Sequence, residues 1–465
     1  MTFTEQSLSA QLAGIPAGGR LVVAFSGGLD SSVLLWALYR LRQANPDAFS
    51  LSAIHVNHGL SSNAAAWQHF CEQTCARLGI ELSVELVHIA RESGASLENL
   101  AREQRYAAFV RQLRAGDCLV MGHHLDDQAE TFLLRTLRGA GPRGLAAMPR
   151  TRPLGAGTLL RPLLSVTRQT LEEFARTEQL QWIEDESNDS TLFDRNYCRH
   201  ELLPVIARRW PSYREKWLRS MQLGGEAEEL LQELAAQDYA QVCTADETIL
   251  DAAQLLQLSP ARQRNLLRYW LQRVGAAEPG WHVLQQIVVE LLPAAVDAQP
   301  EISWGGREWE STAGQLDAHK PPSRFLLRRY RNRLHLLREQ SAWSNQERFF
   351  WQPPLPLPLP GNGSLQALAG HGEGLRQLPV GSLLQVRYRQ GGERCCLAGR
   401  RTRTVKKVLQ DAAIPPWLRE RLPLLYVNDE LVCIPGVGVC EGWQATGNER
   451  SWKVIWQPVP NTPAS

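Results

Sequence analysis

A six-residue turn constrains this chain more than any other feature. In LVVAFSGGLDSSVLLWALYRLR (Leu21–Arg42), the run Leu21–Phe25 is short, continuous and partly β-branched, the pattern of a buried parallel strand. After Ser31, apolar residues recur at helical spacing through Val33, Leu34, Leu35, Ala37, Leu38 and Leu41. The segment Ser26–Ser31 therefore joins a strand to a helix N-terminus, where unpaired N–H groups and the macrodipole favour an anion. Two adjacent glycines let a phosphate oxygen come close to the main chain. The plainer alternative is a βα turn with a Ser or Asp cap, but one cap does not use a glycine pair, a carboxylate and several hydroxyls. The stretch is neither G-x-x-x-x-G-K-[ST] nor G-x-G-x-x-G, so it announces no P-loop NTPase and no Rossmann dehydrogenase.

The alternation that starts there continues to about residue 205. Apolar, β-prone runs at Leu21–Phe25, Leu51–Val56, Leu82–Ile89 and Cys118–Met121 alternate with helical patterns near 31–43, 64–79, 97–114 and 127–138. The fold class expected is α/β, a parallel, doubly wound sheet without hairpins, with ligands beyond the carboxyl ends of its strands. A chain of 465 residues has room for about three domains. The expected division is a nucleotide-binding catalytic domain over 1–210, a mainly helical domain over 211–345, a Pro/Gly-rich linker over 346–374 (PPLPLPLPGNG at its centre) and a small α+β domain over 375–457. No stretch reads as a membrane span or a signal peptide. Nine cysteines without any C-x-x-C pair point to reduced thiols in a cytoplasm and away from a zinc ribbon.

A net charge of +2 says little about partners, so local clusters carry that argument. RFLLRRYRNRLHLLR (Arg324–Arg338) holds seven basic side chains, counting His335, and no acid. GRRTRTVKK (Gly399–Lys407) is equally one-signed. Each is either a solvated face or a surface for backbone phosphate, with Arg400, Arg401, Arg403, Lys406 and Lys407 the expected contacts in the last domain.

The second informative stretch is CLVMGHHLDDQAETFLLRTLRGAGPRGL (Cys118–Leu145). A strand ends at His123-His124 and a helix begins within Leu125-Asp126-Asp127. Asp127 and Glu130 then share one helix face near its N-terminus. They are read either as a capping box, with Asp126 a plain N-cap, or as a carboxylate pair at the ligand edge, which the two histidines favour. RGAGPRGL suits a loop closing over anionic groups. HVNHGL (His55–Leu60) ends the second strand in polar groups, and LENLAREQRY (Leu97–Tyr106) sets Glu98, Arg102 and Arg105 at helical spacing; the acidic loop EDESNDSTLFDRN (Glu184–Asn196), leading to Arg195 and Arg199, is either solvated turn chemistry or a positioning loop.

The turn resembles the SGGxDS loop of PP-loop ATP pyrophosphatases, and the motifs in order resemble the tRNA(Ile)-lysidine synthetase family: SGGLDS, HVNHGL, LENLAREQRY, GHHLDDQAET, RGAGPRGL, RPLL (Arg161–Leu164), EDESN with FDRN, then YRQGGER and TVKKVLQDAAIPPWLRERLPLLYVN. One departure is Ser61, where that family usually carries Arg. The resemblance implies ATP and Mg2+ as cofactors, with L-lysine and a tRNA(Ile) bearing a CAU anticodon as partners, and it leaves a homodimer open. It implies adenylation of the wobble cytidine at its C2 oxygen, then displacement of AMP by the lysine ε-amine. Ser26, Gly27, Gly28, Leu29, Asp30, Ser31 and Ser32 are the residues it assigns to pyrophosphate and metal, with Asp30 as metal ligand. His123 is then expected at the α-phosphate, Asp127 and Glu130 at the lysine, and Arg102 and Arg105 beside the adenylate. Three other readings are weighed: a PP-loop tRNA thiolase, for which the cysteines have the wrong spacing; an amidotransferase-linked PP-loop synthetase, for which no glutaminase module and no Cys after Met1 is seen; and a nucleotide-sensing RNA-binding protein that consumes no ATP.

Overall fold

The apolar run that opens the first stretch becomes a central strand, and its alternate side chains build two separate cores. The structure is a computed structural model that describes residues 3–15, 18–59, 61, 63–87, 97–184, 186, 194–295, 298–306, 309–310, 315–316, 323–339, 343–379 and 382–459. It divides into two units, one of Met1–Ala240, Asn265–Ala277 and Arg307–Pro322, the other of Gln241–Arg264, Glu278–Gly306 and Ser323–Ser465.

In the first unit the strands are β1 (Gly19–Ala24), β2 (Phe49–Asn57), β3 (Glu81–Leu86), β4 (Cys118–Val120), β5 (Thr151–Leu154) and β6 (Gly157–Leu160). They form one sheet in the order β3-β2-β1-β4-β6-β5. Leu21 of β1 pairs in parallel with Leu51 of β2 on one side and with Cys118 of β4 on the other. Period-two alternation sends Leu21 and Val23 to one face and Val22 to the other. On the first face lie α2 (Leu29–Ala44), α3 (Ala64–Leu78) and α7 (Arg168–Thr177), through Leu34, Leu38, Cys71 and Leu171. On the second lies α4 (Leu97–Gln112), with Phe109 against Val22, Ile54 and Met121. Each such fully buried aliphatic or aromatic side chain stabilises by about 1.5–3 kcal/mol, which is what lets the polar turn between them be dictated by ligand rather than by packing. The unit also contains α1 (Glu5–Gln11), α5 (Leu125–Leu137), α6 (Pro142–Leu145), α8 (Asp194–Tyr197), a π-helical turn at Cys198–Leu202, α9 (Leu203–Arg209) and the 30-residue α10 (Tyr213–Val242).

Two expectations need correction. The sheet is not wholly parallel, because β5 and β6 form an antiparallel hairpin at its edge. Two four-residue runs around Gly155, which takes φ +55°, are too short to show a periodicity, and Pro153 is tolerated because β5 is the edge strand. The Pro/Gly-rich segment is not a loose linker either. Trp351 and Leu359 are buried in the core of the second unit, and Leu357–Pro358 pairs with Ser364-Leu365. Leucines alternating with prolines have a strand's period, and the proline N–H deficit falls on the edge strand of its sheet.

The second unit is built mainly on antiparallel sheets. Arg324–Arg338 is a hairpin, Ser323–Tyr330 against Arg333–Arg338, within a four-stranded sheet. Phe325 and Leu327 are buried on the same face as Arg329, which spends its N–H groups on the carbonyls of Leu292, Ala294 and Arg331. One member of that basic run is therefore a structural arginine. Among the described residues no helix is long and apolar enough to cross a membrane.

Candidate active site

The Ser26–Ser32 turn has the form that an anion cradle requires. Gly28 is the N-cap of α2 with no side chain capping it, so the first N–H groups of a 16-residue helix have no side-chain acceptor there. The hydroxyls face the loop's own carbonyls: Ser31 Oγ donates to Gly28 O at 3.0 Å and Ser32 Oγ to Gly27 O at 3.2 Å, and Ser26 Oγ lies 3.1 Å from Ser31 Oγ. Leu29 is buried and anchors the helix start in the core. The two glycines have different reasons. Gly27 takes φ +85°, and a Cβ there would lie 2.5 Å from Ile183 Cδ1 and 3.1 Å from Cys71 Sγ. Ile183 fixes the loop from outside, its N–H donating to Gly27 O at 2.9 Å. Gly28 has φ −74°, and a Cβ there would touch nothing nearer than 3.6 Å. Folding does not explain the second glycine. Gly122, at the exit of β4, is needed for close approach, since its Cβ would come within 3.0 Å of the Asp30 backbone.

His124 links that turn to the carboxylates of α5. It is 1 % exposed, with Nε2 3.5 Å from Asp30 Oδ2 and 3.6 Å from Asp127 Oδ2. Burial opposes its charge, but Asp127, Asp30 and Asp126 outweigh burial and raise its pKa. The capping box of α5 is His124 with Asp127, not Asp127 with Glu130: the His124 side chain accepts from Asp127 N, and Asp127 Oδ2 accepts from His124 N at 3.0 Å. Asp126 is no N-cap. It accepts from Arg168 N at 2.8 Å and from Arg214 Nε at 2.5 Å. Asp127 thus carries the cap and part of the ion network together. Burial works against its ionisation, yet His124, Arg195 and His123 hold its carboxyl far below the usual carboxylate range.

Glu130 is wholly buried, and its two oxygens are taken by guanidiniums. Arg195 Nε donates to Oε2 at 2.7 Å and Arg199 Nε to Oε1 at 2.6 Å, while Arg195 reaches Asp127 Oδ1 at 2.8 Å. The carboxylates expected to stand open for an ammonium group are therefore already paired with internal cations. Sequence reading missed this role for Arg195 and Arg199, because 65 to 72 residues separate acid from base. The loop residues 185 and 187–193 that precede them, and the Glu98 side chain, lie outside the described residues. Beside the cluster is a cavity of about 320 Å3 lined by His124, Asp126, Glu130, Glu172, Arg199 and Arg214, among others.

His123 turns the other way. Burial, opposed by Asp127 and assisted by Arg161, Arg195 and Arg102, pushes its pKa down to about 3, so the ring is neutral near pH 7. Arg105 Nε donates to His58 Nε2 at 3.2 Å at the end of β2, and burial together with that guanidinium lowers His58 to about 4. Arg102 lies over the ring of Tyr106.

Asp30 Oδ1 is buried without a hydrogen-bond partner beside the phosphate-ready turn. An unpaired carboxylate oxygen in that place fits a hard cation such as Mg2+. Among the described residues no cluster of three or more His, Cys, Asp or Glu is placed to hold an ion. In the second unit Arg400, Arg401, Arg403, Lys406 and Lys407 are all exposed; Arg403 and Lys407 share Asp411 at 2.7 and 3.5 Å. A cavity of about 790 Å3 in the same unit is lined by Arg328, Arg331, Arg333, His335 and Trp417, among others.

Comparison with known proteins gives a consistent set of relatives. Residues 3–206 match a PP-loop domain, 250–335 a TilS substrate binding domain and 384–456 a TilS substrate C-terminal domain. The tRNA(Ile)-lysidine synthase of Coxiella burnetii is 40% identical over 458 residues, 98% of this chain and 97% of its own length. That of Pseudomonas aeruginosa is 41% identical over 477 residues, 99% of this chain and 98% of its own. Among solved structures, a TilS C-terminal domain aligns with 24% of this chain and 99% of its own at 25% identity and a TM-score of 0.21. The U34-tRNA thiolase NcsA of Methanococcus maripaludis aligns with 47% of this chain and 77% of its own at 18% identity and a TM-score of 0.38.

Proposed function

We propose, from the premise that the chain belongs to the tRNA(Ile)-lysidine synthase family, that it joins L-lysine to C2 of the wobble cytidine of a tRNA(Ile) with a CAU anticodon. That family consists of ATP-using tRNA-modifying ligases, and the PP-loop domain is the part of this chain that uses ATP. The finer steps are our reading. First the C2 oxygen attacks the α-phosphorus of ATP, forming an O–P bond as the α–β anhydride breaks and pyrophosphate leaves. Then the ε-amine, having released a proton to solvent, attacks C2; a C–N bond forms, the C–O bond breaks and AMP departs.

The observation that carries the reading is the one-step linkage of two sites. The uncapped α2 N-terminus, shaped for pyrophosphate, and the Asp127–Glu130 carboxylates, suited to a cation, meet at one buried imidazole, His124. The backbone N–H groups of Leu29, Asp30 and Ser31 are assigned to the leaving pyrophosphate, where charge develops. Asp30 would hold Mg2+ when it is bound, and the cation would neutralise charge on the phosphates. His123, neutral at working pH, donates or accepts a hydrogen bond at the α-phosphate without adding charge. Asp127 is too acidic to take a proton from an ammonium, so its role is to hold lysine electrostatically. Lysine reaches the pair through the 320 Å3 cavity. There it exchanges with a guanidinium at Glu130, since Arg195 and Arg199 already occupy both carboxylate oxygens. The five cations at Arg400–Lys407 and the Arg324–Arg338 hairpin are assigned to the tRNA backbone.

The test is to incubate the protein with ATP, radiolabelled lysine and bulk tRNA. Label in RNA with matching AMP and pyrophosphate supports the ligase. ATP bound without AMP release would make the protein a sensor, and label absent despite AMP release would refute lysine as the second substrate.

A further inference from the structure

Tyr106, on α4, is faced by three guanidiniums and no carboxylate. Arg102 and Arg152 lie over its ring, their central carbons 5.2 and 5.0 Å from the centroid. The Tyr106 hydroxyl donates to Met121 Sδ at 3.8 Å, and the charge of Arg161 also acts on the phenol. Arg161 is 3 % exposed and gives one N–H to Pro149 O at 2.8 Å, while its Nε is buried without any acceptor. Among the described residues no ion pair joins Arg102, Arg152 or Arg161 to an Asp or Glu, whereas Arg195 and Arg199 have two each and Arg214 has one. Arg161 is buried, Arg152 half-buried and Arg102 exposed, so the like charges converge from solvent onto one buried guanidinium that has no counter-ion, which is unfavourable. Burial, partly offset by Tyr106, holds Arg161 below its ordinary value, as do the charges of Arg152 and Arg102. The three guanidiniums overcome burial and lower the Tyr106 phenol.

The place of this cluster says which anion it awaits. The pyrophosphate cradle belongs to α2, on the Leu21–Val23 face of the sheet, while α4 covers the Val22–Ile54 face. Arg152 and Arg161 come from the β5–β6 edge, β5 and the residue after β6. The arginines therefore sit across the strand ends from the triphosphate site, and His123, which feels both Arg161 and Arg102, is at the exit of β4 between them. Building on the reading of tRNA as substrate, we propose that Arg102, Arg152 and Arg161, gathered on Tyr106, form a second anion site that takes a backbone phosphodiester of the RNA next to the nucleotide being modified. A planar guanidinium trio around a phenol offers forked N–H donors to two non-bridging oxygens while the ring supports the cations from below. Fixing the phosphate beside the target base brings its C2 oxygen to the α-phosphorus by position alone.

The experiment uses the full chain with Arg152→Gln and Arg152→Lys, with a thermal melt of each to check that it folds. Transfer RNA binding is measured over a range of salt, and binding of a non-hydrolysable ATP analogue separately. Loss of one charged contact should weaken tRNA binding roughly 10- to 100-fold. It should also flatten the slope of log K against log[salt] by about 0.7, the single-strand value. The analogue's affinity should stay at the wild-type value, and Arg152→Lys should keep the slope. Weakened analogue binding with intact tRNA binding would assign the cluster to ATP and overturn the proposal, as would no change in either. Failure of the wild-type protein to label RNA with lysine is a separate result that sinks only the ligase reading, because the phosphate contact is read by binding.

Discussion

Replacing the two loop glycines one at a time separates what the fold needs from what the ligand needs. Alanine at position 27 must adopt φ +85° and place a methyl group 2.5 Å from Ile183 Cδ1. The left-handed backbone costs about 1–2 kcal/mol for a residue with a Cβ, and the overpacking about 1–3 kcal/mol more. Gly27→Ala should thus lower stability by about 2–5 kcal/mol, at about 2–4 °C per kcal/mol for a domain of this size. It cannot serve as a clean test of catalysis. Alanine at position 28 meets neither problem: φ is −74° and the nearest atoms are 3.6 and 3.9 Å away. The gain from a stiffer unfolded chain, about 0.4–1 kcal/mol, offsets the poorer helix cap, so the melting temperature should move by no more than a few degrees. Yet the added methyl group narrows the turn whose N–H groups, at Leu29–Ser31, are assigned to phosphate. Thermal melts combined with AMP formation and ATP affinity decide the matter. Gly28→Ala should melt like wild type and lose most ATP use. A Gly28→Ala protein with wild-type AMP release would show that the turn is only a strand-to-helix connection.

Other outcomes follow from the same geometry. Glu130→Gln leaves two guanidiniums facing a neutral amide in a buried site, so it should cost about 3–5 kcal/mol in a denaturant titration and raise the KM for lysine more than that for ATP. His123 has a folded pKa of about 3 against an ordinary 6.5, so the unfolded chain binds the extra proton between those values; stability should fall as pH drops from 6.5 towards 3, and His123→Asn should flatten that fall in melts across pH. Asp127, whose folded pKa is depressed, stabilises above the unfolded carboxylate range and loses that contribution only at still lower pH. Arg400→Gln, Arg401→Gln and Lys406→Gln should each flatten the salt dependence of tRNA binding by about 0.7–0.9, with ATP affinity unchanged; three unaltered slopes would make this stretch a solvated face.

The part of the fold that the sequence made legible is the part written in contiguous periodicity. The run Leu21–Phe25 and the helical spacing after Ser31 place β1, the turn and α2 within a residue or two, because each element's burial pattern is local. Legibility failed where the signal was shorter than a period, as in the β5–β6 hairpin, or where proline composition masked a strand, as at Leu357–Pro358. In the site, residue types were readable but pairings were not. Asp127 and Glu130 announce two negative charges; nothing local announces that Arg195 and Arg199 neutralise them. The distinction has a chemical consequence. Asp126, Asp127 and Glu130 face Arg214, Arg195 and Arg199, three carboxylates against three guanidiniums, so the α5 side of the site is balanced before any ligand arrives. Arg102, Arg152 and Arg161, across the strand ends, have no such balance. A polyanionic substrate is therefore drawn to the arginine side, while a cationic one gains little until a guanidinium gives way. Binding order is the measurable form of that asymmetry: ATP and RNA should bind without lysine, and lysine alone should bind weakly.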